Sequence, residues 1–210
     1  MKNWVFFILF GLLTNLYGQK FEKFSNAEKE LIQTDSTEMM RVYNRANPTD
    51  SVVLKSISET INPADKLTKL LAERMLLSVK NEGGVGIAAP QVGINRRMVW
   101  VQRFDKPGNP FELCINPEIL WASELMQKGP EGDLSFDERG AVMRHYTVQV
   151  QYQNLKGETI TEMLEGFTSV VFQHERDHLD GVLLTDRIHE QKSLNFRPAA
   201  EKSDLYFKVN

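Results

Sequence analysis

Apolar and polar positions change rhythm several times along the chain. Residues 4–13 form a nearly unbroken apolar run behind Lys2. Residues 20–48 are polar, with weak helical spacing at Ala27, Leu31, Met39 and Val42. Asn47-Pro48-Thr49-Asp50 is a turn signal, and Val52-Val53-Leu54 predicts a short strand. Asn62-Pro63-Ala64-Asp65 opens a helix whose stripe of Leu67, Leu70, Leu71, Met75 and Leu76 runs to about Lys80. Strand-like runs follow at residues 97–101 and 113–115, separated by the turn Lys106-Pro107-Gly108-Asn109-Pro110. Residues 148–152 alternate by two and turn through Asn154-Leu155-Lys156-Gly157 into residues 159–163. From residue 166 to 180 the period becomes helical, with Phe167, Val170, Val171, His174 and His178 at three- and four-residue intervals. The expected fold class is α+β: mostly antiparallel strands around the helix that carries His174 and His178, with the 65–80 helix packed outside.

The first apolar run is about half the roughly 20 residues that span a bilayer. With Lys2 before it and Gly18-Gln19 after it, it has the layout of a secretory signal peptide cleaved after Gly18. The expected organisation is a signal at 1–18, a polar lead-in at 19–49, a catalytic domain at 50–190 and a C-terminal tail at 191–210. The chain is then exported, periplasmic or extracellular, with no stable membrane span once the signal is gone; an uncleaved membrane anchor is the second reading of the same segment.

Charge and cysteine usage remove several function classes. Lys and Arg number 25 against 28 Asp and Glu, so a broad basic footprint for nucleic acid is not expected. One cysteine, Cys114, permits no internal disulfide and no Cys-rich metal module. A metal site must therefore draw on carboxylates and on the 4 histidines.

Two of those histidines supply the strongest local signal, His174-Glu175-Arg176-Asp177-His178. On a helix, positions i and i+4 share a face one turn apart, so both imidazoles can reach one ion. Glu175 is then beside the first ligand, placed to handle a water proton. A catalytic tetrahedral site needs a third protein ligand. Asp177 points off the histidine face, Asp180 suits a supporting or capping role, and His145 and His189 lie in other segments. The Gly83-Gly84-Val85-Gly86 segment lacks the Lys-Ser/Thr ending of a phosphate loop and the glycine spacing of a dinucleotide site.

Three runs in order resemble the motifs of the peptide deformylases: Gly84-Val85-Gly86-Ile87-Ala88-Ala89-Pro90-Gln91, Glu131-Gly132-Asp133-Leu134-Ser135, and Gln173-His174-Glu175-Arg176-Asp177-His178-Leu179-Asp180-Gly181. The resemblance covers about residues 50 to 190. It implies a hydrolase of the N-formyl group on formyl-methionyl peptides, using one divalent ion, iron or zinc, with nickel and cobalt as further fits. It implies His174, His178 and Asp133 as metal ligands and Glu175 as acid and base. Gln91 and the Leu134 N–H would polarise the formyl oxygen. Gly84, Val85 and Gly86 would meet an extended peptide, and Glu131 and Arg144, a supporting ion pair, are grouped with them as substrate-binding residues at the cleft. One departure stands out: the family's cysteine ligand is replaced by Asp133, and Cys114 is far from that motif. Two other readings follow from that departure and the export signal. One is an exported metallo-amidase or peptidase with another acyl or peptide substrate. The other is a catalytically silent peptide- or metal-binding relative.

Overall fold

The computed structural model describes residues 21–209. Three helices come first: α1 (Asn26–Gln33), α2 (Pro48–Leu54) and α3 (Lys66–Asn81). Seven strands follow: β1 (Gly86–Ala88), β2 (Met98–Gln102), β3 (Phe111–Ala122), β4 (Leu125–Asp133), β5 (Phe136–His145), β6 (Thr147–Gln153) and β7 (Thr159–Glu165). Next come α4 (Gly166–Leu179), α5 (Leu184–Gln191), β8 (Asn195–Pro198) and β9 (Leu205–Val209). The strands make a five-stranded sheet, β1-β2-β3-β6-β7, and a four-stranded sheet, β5-β4-β9-β8, and every strand pair is antiparallel. The α+β class expected from the sequence holds.

The period of two decides which helix each face of the larger sheet meets. Ile87, Met98, Leu113 and Ile115 pack with Leu71, Met75 and Val79 of α3. Their neighbours Ala88, Val99, Val101 and Cys114 turn the other way, onto Val171, Phe172 and Leu179 of α4. This part of the sheet is buried on both faces, which locks its register, because a one-residue slip would exchange the two cores. Cys114 is one small apolar piece of that packing; burial pushes its thiol pKa well up, and no metal-binding cluster of the described residues includes it.

Several segments differ from the expectation. Val52-Val53-Leu54 is helical, not a strand. Asn47 caps α2 by accepting from the Thr49 and Asp50 N–H groups, and Pro48 occupies the first turn. Those start signals prevail over the β preference of two valines, of which Val52 is exposed. The lead-in is built into the body: Phe24, Ile32 and Met40 join the α3 core, and Arg74 donates to the carbonyls of Leu31, Ile32 and Glu38. The polar tail supplies the end of α5 and the β8–β9 hairpin, whose β9 pairs with β4. The expected signal at 1–18 lies outside the described residues. Among the described residues no helix is long and apolar enough to cross a membrane.

Candidate metal centre

Helix α4 brings the first part of the site. It runs directly on from β7 and ends where Gly181, at φ +69°, takes the left-handed conformation that a side chain disfavours. His174 and His178 leave the same face, their Nε2 atoms 3.3 Å apart, and both are buried. The second part is the tip of the β4–β5 hairpin, where a bulge between Glu131 and Asp133 turns the Asp133 carboxylate toward the helix. Asp133 Oδ2 is 3.3 Å from His178 Nε2 and 3.8 Å from His174 Nε2. Asp133, His174 and His178 are the one metal-binding group among the described residues; His145 and His189 stand apart from it.

These three atoms fit a divalent ion. Bonds of about 2.0–2.2 Å in a tetrahedron separate neighbouring ligands by roughly 3.3–3.6 Å, close to the distances found. Asp133 Oδ2 is buried and has no hydrogen-bond partner, as expected of an atom reserved for a cation. Around His174, support is complete: Nδ1 meets Glu131 Oε2 at 2.9 Å, the usual outer partner of a ligating imidazole. Arg144 then holds both Glu131 oxygens at 2.9 Å and reaches Asp177 Oδ2 at 2.5 Å. Arg187 grips the same Asp177 from α5. A chain of buried charges thus leads from His174 to a neighbouring helix.

Burial opposes a charged His174, but the Glu131 hydrogen bond and the nearby Glu175 and Asp133 carboxylates outweigh it and lift its pKa to about 9. A bound cation would take that proton's place. Burial also works against the Asp133 carboxylate, yet His178, His174 and the Ser135 N–H hold it at about 2. Glu175 differs. It is buried, its Oε2 has no partner, and burial pushes its pKa to about 7 against the pull of both histidines. A carboxyl group poised near neutrality can both take and return a proton.

The ligand-facing cleft has a cavity of about 470 Å³ lined by Gly84, Val85, Gly86, Gln91, Glu131, Asp133, Leu134, His174 and Glu175 together with Phe167, Val170 and Val171. Gly86 is required there: a Cβ would lie 2.8 Å from Glu175 Cγ and Cδ. Gly84 lies against the Leu134 side chain at the hairpin tip. Among the described residues strand β1 pairs with β2 alone, so it is an edge strand, and its first residue Gly86 lines the cleft with Gly84 and Val85.

Two expectations change. Arg144 is not at the cleft; it is buried behind Glu131 and steadies it. Glu131 reaches the cleft wall, but its carboxylate is committed to Arg144 and His174 rather than to a substrate. The sequence placed Ser135 and Asp177 inside the motifs and Arg187 beyond them but assigned none of the three a part in the centre. Asp177 and Arg187 carried no spacing signal, because their partnership exists only after β5, α4 and α5 have packed.

A buried set of two imidazoles and one carboxylate, with a second buried carboxyl alongside and a cleft in front, is the equipment of a metal-dependent hydrolase. Residues 39–194 match the family model described as polypeptide deformylase, and the chain belongs to that family. The Thermotoga neapolitana peptide deformylase is 43% identical over 146 residues, 69% of this chain and 87% of that relative. A Brucella melitensis protein named peptide deformylase-like is 36% identical over 139 residues, 64% of this chain and 82% of its own length. Among solved structures, the actinonin-bound class I type b peptide deformylase of Acinetobacter baumannii superposes with a TM-score of 0.64 at 36% identity, covering 71% of this chain and 97% of that one. The matched span begins after α1 and ends before β8, so α1 and the β8–β9 hairpin are additions to it.

Proposed function

We propose that the chain removes the N-formyl group from the first residue of peptides, releasing formate. The observation that carries this reading is the buried Glu175 carboxyl, its Oε2 without a partner, beside the Asp133, His174 and His178 cluster, inside a cleft bordered by an edge strand. A divalent ion held by those three residues would supply Lewis acidity toward the acyl oxygen and a water. Iron and zinc both suit two histidines and a carboxylate.

The chain's own groups do the rest. The free edge of β1 and the Gly84-Val85-Gly86 segment present backbone groups to an extended peptide, in the manner of an added strand. Glu175 takes a proton from the attacking water and returns it to the leaving amine nitrogen. Gln91 and Leu134 line the cleft, and the side-chain amide of the one and the backbone N–H of the other stabilise the acyl oxygen as it gains charge. Val170, Val171 and the Leu134 side chain offer apolar surface to a methionine-like side chain and keep water away from the reacting bond.

The full chain, loaded in turn with Fe²⁺, Zn²⁺, Co²⁺ or Ni²⁺, is expected to release formate from a formyl-Met peptide and to leave the acetyl-Met analogue intact. No formate with any of the four ions overturns the proposal. Export is part of the same reading and rests on residues 1–18 alone. Mass spectrometry of the protein from the producing cell is expected to find Gln19 at the N-terminus; an intact Met1 would refute cleavage.

A further inference from the structure

A carboxylate differs from a thiolate in offering a metal two donor atoms, and the surroundings of Asp133 treat those two atoms differently. Oδ2 faces His174 and His178 and has no hydrogen-bond partner. Oδ1 accepts from the Ser135 N–H at 2.8 Å and from Gln91 Nε2 at 3.1 Å. Gln91 is itself fixed. Its Oε1 accepts from the Ala88 N–H at 2.9 Å, and its backbone carbonyl accepts from the Tyr43 N–H at 2.8 Å. Its side-chain amide is therefore oriented before any substrate arrives, with Nε2 turned toward Asp133.

We propose that Gln91 is a positioning residue for the metal ligand in this chain: together with the Ser135 N–H it pins Asp133 Oδ1, so that the carboxylate binds through Oδ2 alone. This rests on the metal reading of the site. The physical reason is the need for open coordination. A carboxylate free to rotate can chelate through both oxygens, which fills a position that a hydrolytic centre must leave to water and substrate. Two N–H donors on one oxygen oppose that rotation, and outer partners of this kind typically change metal affinity about 10- to 100-fold.

The geometry also shows how one amide serves two tasks. The Gln91 Nε2 carries two hydrogens: one is directed to Asp133 Oδ1 and the other to Ser135 Oγ at the longer distance of 3.3 Å. The Ser135 hydroxyl holds the second hydrogen until an acyl oxygen takes it, while the first stays on Asp133. Gln91 thereby links the ligand swap at position 133 to oxyanion stabilisation.

Activity alone cannot test this, since losing Gln91 as an oxyanion donor would also slow turnover. Metal affinity separates the two. Zn²⁺ and Co²⁺ dissociation constants are measured by chelator competition on the full chain, for the parent, Gln91→Ala, Gln91→Met, Asp133→Cys and the double variant Asp133→Cys/Gln91→Ala. A thiolate has a single donor atom and nothing for Gln91 to pin. With Asp133 in place, Gln91→Ala and Gln91→Met are expected to weaken binding about 10- to 100-fold. In the Asp133→Cys background, Gln91→Ala is expected to change it less than about twofold. The Co²⁺ d–d band should lose intensity in the first background, as coordination number rises, and hold in the second. Gln91→Met fills the volume without donating, which separates a lost donor from a collapsed loop. Equal effects in both backgrounds, or none beside Asp133, overturn the proposal. A parent chain that binds neither ion would overturn the metal reading itself, which is a distinct result.

Discussion

Glu175→Gln is expected to lower kcat by about 10²- to 10⁴-fold, or about 3–5 kcal/mol of barrier, while metal content stays at one ion per chain. The substitution keeps shape and removes only the ability to carry a proton. Glu175 is not among the atoms that surround the ion position, and its Oε2 meets no other group. No hydrogen bond at Oε2 is lost with its charge. A buried carboxyl held against its own burial, with a pKa raised to about 7, destabilises the fold it sits in. The glutamine variant should therefore melt no lower than the parent, and higher if the burial cost dominates. Slow turnover, unchanged metal and an undiminished Tm together identify Glu175 as a proton carrier. A variant that keeps more than about a tenth of parent kcat would sink the assignment, because general acid–base catalysis is typically worth at least about 10²-fold.

The second large effect lies one layer behind the metal. Arg144→Met is expected to destabilise the protein by about 3–5 kcal/mol, the usual consequence of stripping one partner from a buried ion pair. In a domain of this size that is a fall in Tm of roughly 6–20 °C. Arg144, Glu131 and Asp177 are all buried, and Arg144 makes one hydrogen bond to each Glu131 oxygen, beside the one that His174 makes. Asp177 keeps Arg187 and is less affected. Glu131 keeps only His174, so the imidazole loses a rigid support and metal affinity should fall as well. The double variant Glu131→Leu/Arg144→Met removes the stranded charge and should recover part of the lost stability without recovering metal affinity. Differential scanning calorimetry and chelator competition read the two effects separately. A Tm drop under about 2 °C for Arg144→Met would show that the network contributes little.

Much of the chemistry was legible along the chain because it is local. The i and i+4 imidazoles of His174 and His178 follow from helical geometry alone, and Glu175 is their neighbour in sequence. Gly86 was readable as part of a motif, but not its reason, which is the approach of Glu175 from a helix far along the chain. The β4–β5 hairpin was not visible as two strands. Gly129, Pro130, Gly132 and Gly140 interrupt its alternation, and pairing within the sheet holds it together in spite of them. The lead-in read only as a polar segment with weak helical spacing because its apolar residues are sparse. Its attachment comes from Arg74 and Ser78 on α3, which satisfy the carbonyls and an N–H of that segment.

By itself the sequence determined the α+β class, the helix bearing the two histidines, the glutamate beside the first of them and the order of three motifs, since each depends on short-range spacing or on the hydrophobic period. It also supplied the single most informative departure, Asp133 in place of a cysteine. Only the tertiary structure decided what that departure means. It set Asp133 Oδ2 toward two imidazoles and gave Oδ1 to Gln91 and Ser135, and it enclosed Arg144 between Glu131 and Asp177. Direction in space, burial and partner choice arise where segments far apart in the chain pack together, and no spacing along the chain encodes which oxygen of a carboxylate will face the ion.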